Sequence, residues 1–279
     1  MSNIARMMQR ATAGAGGAGL DVGEVFSTDL WVGTYYNENG LKTTINNGID
    51  LLGEGGLVWL KHRTKVDGHS LFDTARGYNS RLSSNNTNAV GTGSSDILDS
   101  FKSTGFKTGA NATTNGAETA SANSGNKIVS WTFRQAPKFF DVQTWTGNGA
   151  TTQISHSLGS TPGFWLFKRT DTTGQWWTGH YDGTTTRLLQ LESTSDASTS
   201  PALAWGDFPN NSTVIPPTST YVTFSGYLNV SGASFVGYFW AHNNNDGEFG
   251  PDSDQDIIKC GSYIGNSNLT GPSVNVGFE

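Results

Sequence analysis

The feature that most constrains this chain is an internal repeat, because a repeat fixes how every other segment is interpreted. Gly-Leu-Val-Trp-Leu-Lys-His-Arg at 56–63 matches Gly-Phe-Trp-Leu-Phe-Lys-Arg at 163–169. Gly-Asn-Lys-Ile-Val-Ser-Trp-Thr-Phe at 125–133 matches Gly-Ala-Ser-Phe-Val-Gly-Tyr-Phe-Trp at 232–240. Both matches have the same separation, since 163 − 56 and 232 − 125 are both 107. Two matches at one separation indicate a duplicated domain.

A third copy begins near the C-terminus. The segment 258–266 echoes 142–148, and 274–278 echoes 154–158. Half a repeat cannot close its own core, so we expect this part to pair with the preceding domain or another subunit, unless the natural chain continues past residue 279. The predicted organisation is an N-terminal segment with a Gly-rich linker (1–20), two β-sandwich repeats (21–140 and 141–252) and a partial third repeat or C-terminal extension (253–279).

The residue composition predicts an all-β fold. The chain has 36 Gly, 11% aromatic and 14% charged residues, with long Ser, Thr and Asn runs between the aromatics. Gly, Ser and Asn disfavour helix interiors, whereas aromatic and β-branched residues suit pleated sheets. Short strands separated by turns predict tandem jelly-roll-like β-sandwich domains. The predicted strands lie near 25–32, 57–63, 128–134, 142–146, 164–169, 187–192, 221–224 and 235–241.

The N-terminus differs from the rest of the chain. Ile4, Met7 and Met8 fall on one face of a helical pattern, and a Gly/Ala-rich stretch follows at 14–19. This pattern predicts an attachment segment on a flexible linker. A frayed terminus is the alternative, because isolated helices of this length are marginally stable.

The sequence offers no clear catalytic or metal-binding pattern. Retaining glycosidases need two carboxylates about 5–5.5 Å apart, and no two glutamates lie near each other in the sequence. Asp252, Asp254 and Asp256 alternate as at the start of a calcium loop, but Ile257 and Tyr263 stand where that loop needs Gly and Glu. A solvated linker is therefore favoured over a metal site. We predict a protein that is not an enzyme and uses no cofactor.

Charge and hydropathy exclude two classes of partner. The formal net charge is −6 and the isoelectric point is near 5.3, which argues against nucleic acid because nucleic-acid binding needs a basic surface. No apolar stretch approaches the roughly 18 residues of a membrane-spanning helix, so we expect no membrane insertion. Cys260 is the one cysteine, which excludes a disulfide framework.

Aromatic residues of the second repeat are the candidates for ligand binding. They are Trp176, His180, Tyr181 and Trp205, which lie among Gly, Thr and Asp. Aromatic rings beside small polar groups can stack on sugar rings. Trp205 and Trp177 are better explained as core residues. Trp176 precedes Trp177 and points to the opposite face of a strand, so we expect Trp176 to be exposed.

Several long motifs resemble a domain family found in marine, cyanophage-type bacteriophage proteins. The motifs lie between residues 21 and 279, at Val25–Thr28, Ile45–Arg63, His69–Gly77, Leu82–Asn85, Trp131–Val142, Ile154–Gly163 and Cys260–Glu279. The resemblance implies tandem concanavalin/laminin-G-like sandwiches in a tail-fibre-like or other virion structural protein. It transfers no catalytic residue.

The resemblance sets the functional expectations. It implies a structural virion surface protein in a tail fibre or appendage, made in the host bacterial cytoplasm, that contacts the host or acts as a spacer. The expected partners are other virion proteins through the N-terminus, further copies of the chain (a trimer for a fibre) and a host-surface glycan. A capsid decoration or head fibre protein is the first alternative, and a lectin or glycosidase-like sandwich outside a virion is the second.

Overall fold

The computed structural model describes residues 19–33, 42–91, 97–111, 114–115, 127–195, 202–207, 209–210, 212–242 and 245–275. The predicted attachment residues Ile4, Met7 and Met8 lie outside these ranges. Within these ranges, two four-residue helices, α1 (Val22–Val25) and α2 (Ala202–Trp205), accompany the strands. The strands are β1 (Phe26–Val32), β2 (Thr44–Asn46), β3 (Gly56–His62), β4 (Ser70–Asp73), β5 (Leu98–Lys102), β6 (Gly105–Thr108), β7 (Lys127–Arg134), β8 (Phe140–Thr146), β9 (Thr152–Ser155), β10 (Pro162–Arg169), β11 (Trp176–Tyr181), β12 (Thr186–Gln190), β13 (Tyr221–Phe224) and β14 (Ser234–Ala241).

These strands form four antiparallel sheets, which confirms the prediction of an all-β sandwich fold. In the first half of the chain, a large sheet of order β1-β7-β3-β4 faces a small sheet of order β2-β6-β5. In the second half, a large sheet of order β12-β11-β10-β14-β8 faces the pair β13-β9. The order β1-β7-β3-β4 thus has its counterpart in β8-β14-β10-β11, strand for strand.

The two large sheets also share their strand register. Leu57 pairs with Phe133 and with Asp73 in the first sheet. The positions 107 residues later are Phe164, Trp240 and His180, and Phe164 pairs with Trp240 and with His180. Register in a sheet is set by which face of each strand must be buried. The repeat in the sequence is therefore a repeat of strand pairing.

Three apolar cores separate the sheets. The first lies between the two sheets of the first half and includes Val58, Phe72 and Phe106. The second lies between the two sheets of the second half and includes Trp165 and Phe224. The third, which we call the shared core, lies between the two large sheets, with these buried members: Val25, Leu57, Leu71, Leu82, Ala136, Phe139, Phe140, Val142, Leu166, Trp176, Val236, Tyr238, Trp240 and Phe249.

Aromatic contacts and one buried polar network join the halves across the shared core. The rings of Phe133 and Trp240 meet edge to face at 5.7 Å. The Tyr238 hydroxyl donates to Asp73 Oδ2 at 2.7 Å and accepts from Arg76 Nη2 at 3.0 Å. Arg76 Nε donates to Asp73 Oδ2 at 2.7 Å, so the carboxylate compensates the buried guanidinium. Burial raises the pKa of Tyr238 well above its usual value, so its hydroxyl stays protonated and able to donate.

The repeat also places a lysine at the end of each central strand, Lys61 on β3 and Lys168 on β10. Each Nζ donates to the carbonyl of the next residue, at 2.6 Å for Lys61 and 2.7 Å for Lys168. Lys168 also donates to the carbonyl of Thr87 in the first half, at 3.3 Å. Its side chain is fully buried, and burial lowers its pKa from 10.5 to about 8.

The C-terminal segment lies against the second half. Between residues 253 and 275 the structure contains no strand, but Ile257 and Ile258 pack against the cores. The backbone N–H of Cys260 donates to His242 Nδ1 at 3.1 Å. Burial raises the pKa of the Cys260 thiol to about 12. The boundaries proposed for the repeats stay a prediction.

Replacing Asp73 by Ala tests the buried network. The change leaves the Arg76 guanidinium buried without its carboxylate, which costs about 3–5 kcal/mol of unfolding free energy. Urea denaturation followed by tryptophan fluorescence measures this loss. The exposed Asp252→Ala is the control and should leave the midpoint unchanged. Exposed ion pairs contribute about 1 kcal/mol or less. A loss of unfolding free energy in that range would contradict the conclusion that Asp73 compensates a buried charge on Arg76.

Replacing Lys168 by Met tests the pKa of the buried ammonium. Below pH 8 Lys168 is protonated in both the folded and the unfolded chain, and the folded state carries the full cost of burying the charge. Between about pH 8 and 10.5 the folded chain loses this proton first, so the unfolded state binds more protons and the free energy of unfolding rises with pH. The wild-type value minus the Met variant's value should therefore rise across this window. A difference that stays flat or falls would refute the assignment.

Candidate ligand-binding groove

The predicted exposure of Trp176 is wrong. The residue is 0% exposed and lies in the shared core, where its ring is stacked on Tyr238 at 6.3 Å. Its Nε1 donates to the carbonyl of Ser83 in the first half at 3.0 Å. Trp176 and Trp177 do point to opposite faces of β11, as expected, but both faces of this sheet are covered by a core. Trp176 therefore cannot serve as an exposed stacking platform.

The other three predicted ligand-binding residues do not form one site. Trp205 is fully buried in the second core, and its Nε1 donates to the carbonyl of Arg187 at 3.2 Å. Tyr181 packs against the same core and donates its hydroxyl to the carbonyl of Gly183 at 2.8 Å. His180 points from the opposite face of β11, and burial lowers its pKa. Strand alternation thus separates the members of the predicted platform.

The acidic residues around the start of the C-terminal segment are also spread out. Asp252 and Asp254 are exposed, while Asp256 accepts a hydrogen bond from the backbone of Asn245 at 3.0 Å. Asp246 forms an ion pair with Lys138 at 2.9 Å. In the part of the chain that the structure describes, no three His, Cys, Asp or Glu side chains come together as a set of metal ligands.

A groove of about 480 Å³ lies where the shared core opens to solvent. Its lining comes from both halves, since Arg76, Ser80 and Val90 stand opposite strands β8 and β14. On those strands the buried pairs Phe140–Trp240 and Val142–Tyr238 are followed by the exposed pair Thr146–Ser234. We call this site the junction groove.

The loop that contains Thr87 and Val90 forms one wall of the junction groove, and backbone hydrogen bonds hold this loop against the second half. The N–H of Val90 donates to the carbonyl of Thr170 at 2.9 Å, and the N–H of Gly174 donates to the carbonyl of Thr87 at 2.8 Å. Thr170 in turn donates its N–H to the carbonyl of Ser234 at 2.8 Å. The two walls of the junction groove therefore have a fixed separation.

The polar groups of the junction groove are mostly hydroxyls. Thr144, Thr146 and Ser234 line it, and their hydroxyls make no hydrogen bond to any other residue within the described ranges. Among the described residues that line it, Arg76 alone is ionisable, and this guanidinium already donates to Asp73, Tyr238 and the carbonyl of Ser80. The groove thus presents free hydroxyl groups beside a compensated charge.

The sequence interpretation missed the groove residues, although the repeat contains a signal that marks Arg76 and its two buried partners, Asp73 and Tyr238. The positions 107 residues after Asp73 and Arg76 are His180 and Gly183, and the position 107 before Tyr238 is Trp131. A different residue type at equivalent positions of the two copies indicates that the two side chains contact different neighbours. Nothing in the spacing identifies Thr144, Thr146 or Ser234, because threonine and serine are common along the whole chain.

Comparison with known proteins gives one match. A family model described as a domain of unknown function (DUF7483) matches residues 23–279. No curated protein and no solved structure matches the chain. No helix in the described ranges is long and apolar enough to cross a membrane.

Replacing Trp176 by Ala distinguishes a core residue from a surface platform. Truncating a fully buried Trp removes about 3–5 kcal/mol of unfolding free energy, so thermal melting should fall by several degrees. Tyr263→Ala is the control, because Tyr263 is 68% exposed and should leave the melting temperature unchanged. Equal melting temperatures for Trp176→Ala and the wild type would show that Trp176 does not belong to the core.

Proposed function

The chain belongs to the DUF7483 family, and we propose that it is a non-enzymatic structural protein on the surface of a bacteriophage particle, in a tail fibre or related appendage. The resemblance of its long motifs to domains of marine bacteriophage proteins supports this proposal. The duplicated sandwich supports it as well, because structural appendages gain reach and contact area from repeated domains. Under this proposal the sandwiches present surface to the host or hold other parts of the particle apart.

The shared core is the structural observation that carries the proposal. Two domains joined by a flexible linker would move independently, as is common where interdomain surfaces are small. Here Phe133, Phe140 and Trp240 form a continuous aromatic cluster across the junction, with ring separations of 5.1–5.7 Å. A rigid pair transmits position and orientation from an attachment point to a contact surface, which suits a fibre or spacer.

Repetition also suits host contact. Weak sites on linked copies act together, so a modest affinity per copy gives strong attachment when several copies engage. A homo-oligomer, with a trimer favoured in a fibre, would multiply the two sandwiches of each chain. Residues 1–19 remain the proposed attachment segment, and other virion proteins are its proposed partners.

Mass spectrometry and immunogold labelling of purified particles test the proposal. We expect the protein in the particles, with gold at the tail. Gold over the head at high copy number would favour the alternative of a capsid decoration or head fibre. A protein absent from purified particles would refute the virion assignment.

A variant set tests the attachment segment in the same particles. Changing Ile4, Met7 and Met8 together to Ser removes the apolar side chains, and we expect incorporation to be lost while the purified protein melts as before. Gln9→Ser, a polar change in the same segment, is the matched control. Unchanged incorporation of the triple variant would rule out attachment through these residues.

A further inference from the structure

We propose that the junction groove binds an uncharged glycan. This inference specifies the ligand for the host contact in the proposed function. It rests on the proposed function for the source of the glycan. The binding itself follows from the lining of the groove. About 480 Å³ lies within the roughly 300–1,000 Å³ of typical small-ligand sites.

The free hydroxyls select a ligand that both donates and accepts hydrogen bonds. A Ser or Thr hydroxyl can do either, because its hydrogen rotates to suit the partner. Thr146 and Ser234 stand directly opposite each other on neighbouring strands, and Thr144 lies on the same face as Thr146. This places three such hydroxyls along one wall. Adjacent sugar hydroxyls present the same alternation of donor and acceptor.

The charges around the groove disfavour an ionic ligand. Asp73 compensates Arg76, so an anion entering the groove would meet a neutral pair. Lys168 lies nearby but is fully buried and donates to two backbone carbonyls. No carboxylate is among the described residues that line the groove, and Asp171, whose Oδ1 accepts the Ser234 N–H at 3.2 Å, is paired with Arg169 at 2.9 Å. An uncharged polar ligand therefore has the better electrostatic match.

Apolar groups complete the surface that a sugar needs. The rings of Trp145 and Phe235 belong to the second core, on the other face of the sheet, and the apolar groups that line the groove are Ala75 and Val90. The C–H faces of a pyranose ring pack on such groups, while its hydroxyls face the polar wall. Because the two walls have a fixed separation, the ligand would not have to order the site on binding, which favours affinity.

A binding assay on the isolated full-length protein tests the inference. The probes are immobilised neutral oligosaccharides (glucan, mannan and galactan fragments) and matched sulfated or carboxylated ones. We expect binding to at least one neutral probe. In the Thr144→Val and Ser234→Ala double variant this binding should weaken about tenfold, since two hydrogen bonds of ordinary strength are removed. Thr146→Arg, which fills the groove, should abolish it.

Thr28→Val is the matched control. Thr28 is an exposed threonine on β1, the counterpart of β8, and it does not line the junction groove, so this variant should bind like the wild type. Thermal melting of each variant verifies that it is folded. Binding only to charged probes, binding to no probe, or full binding by the folded double variant would each overturn the inference. The assay uses no particles, so its failure is distinguishable from a failure to find the protein in virions.

Discussion

The structure depends on the burial of both faces of its large sheets. A sheet in a simple sandwich has one face against a core and one face in water, which gives alternating apolar and polar residues. Strand β14 instead buries every residue after Ser234, with Val236 and Tyr238 toward the shared core and Phe235 and Phe239 toward the second core. Because both faces are covered, the two sandwiches pack against each other through the shared core. Covering both faces also buries polar side chains, and the Asp73–Arg76–Tyr238 network satisfies their hydrogen bonds.

This double burial explains what the sequence could and could not predict. Strong alternation or long apolar runs identified the central strands, and β3, β7, β10 and β14 lie where they were predicted. The strands β2, β4, β5, β6, β9 and β11 are absent from the predicted set, and β2, β5, β6 and β9 are short strands to which Gly, Asn, Thr and Lys give little apolar signal. Their pairing is set by the cores they close, a tertiary effect that local propensity does not contain.

The error at Trp176 has the same physical origin. The inference that adjacent residues Trp176 and Trp177 point to opposite faces was correct. The further step, that one of these faces meets solvent, assumed an isolated sandwich. In the structure the first half covers that face, and Ser83 supplies an acceptor for the indole N–H. A sequence-based argument about exposure therefore needs the arrangement of the domains, which the repeat alone does not contain.

The junction groove is a further consequence of joining two equivalent sheets. The two equivalent sheet faces do not cover each other over their whole length. At the groove the first half contributes loop residues and the second half contributes the ends of β8 and β14. Where cover ends, the buried Val142–Tyr238 pair gives way to Thr146 and Ser234. A ligand bound there would contact both halves, so its binding free energy would stabilise the whole folded chain and not one sandwich. Binding at the junction groove and the packing of the two halves would therefore be thermodynamically linked.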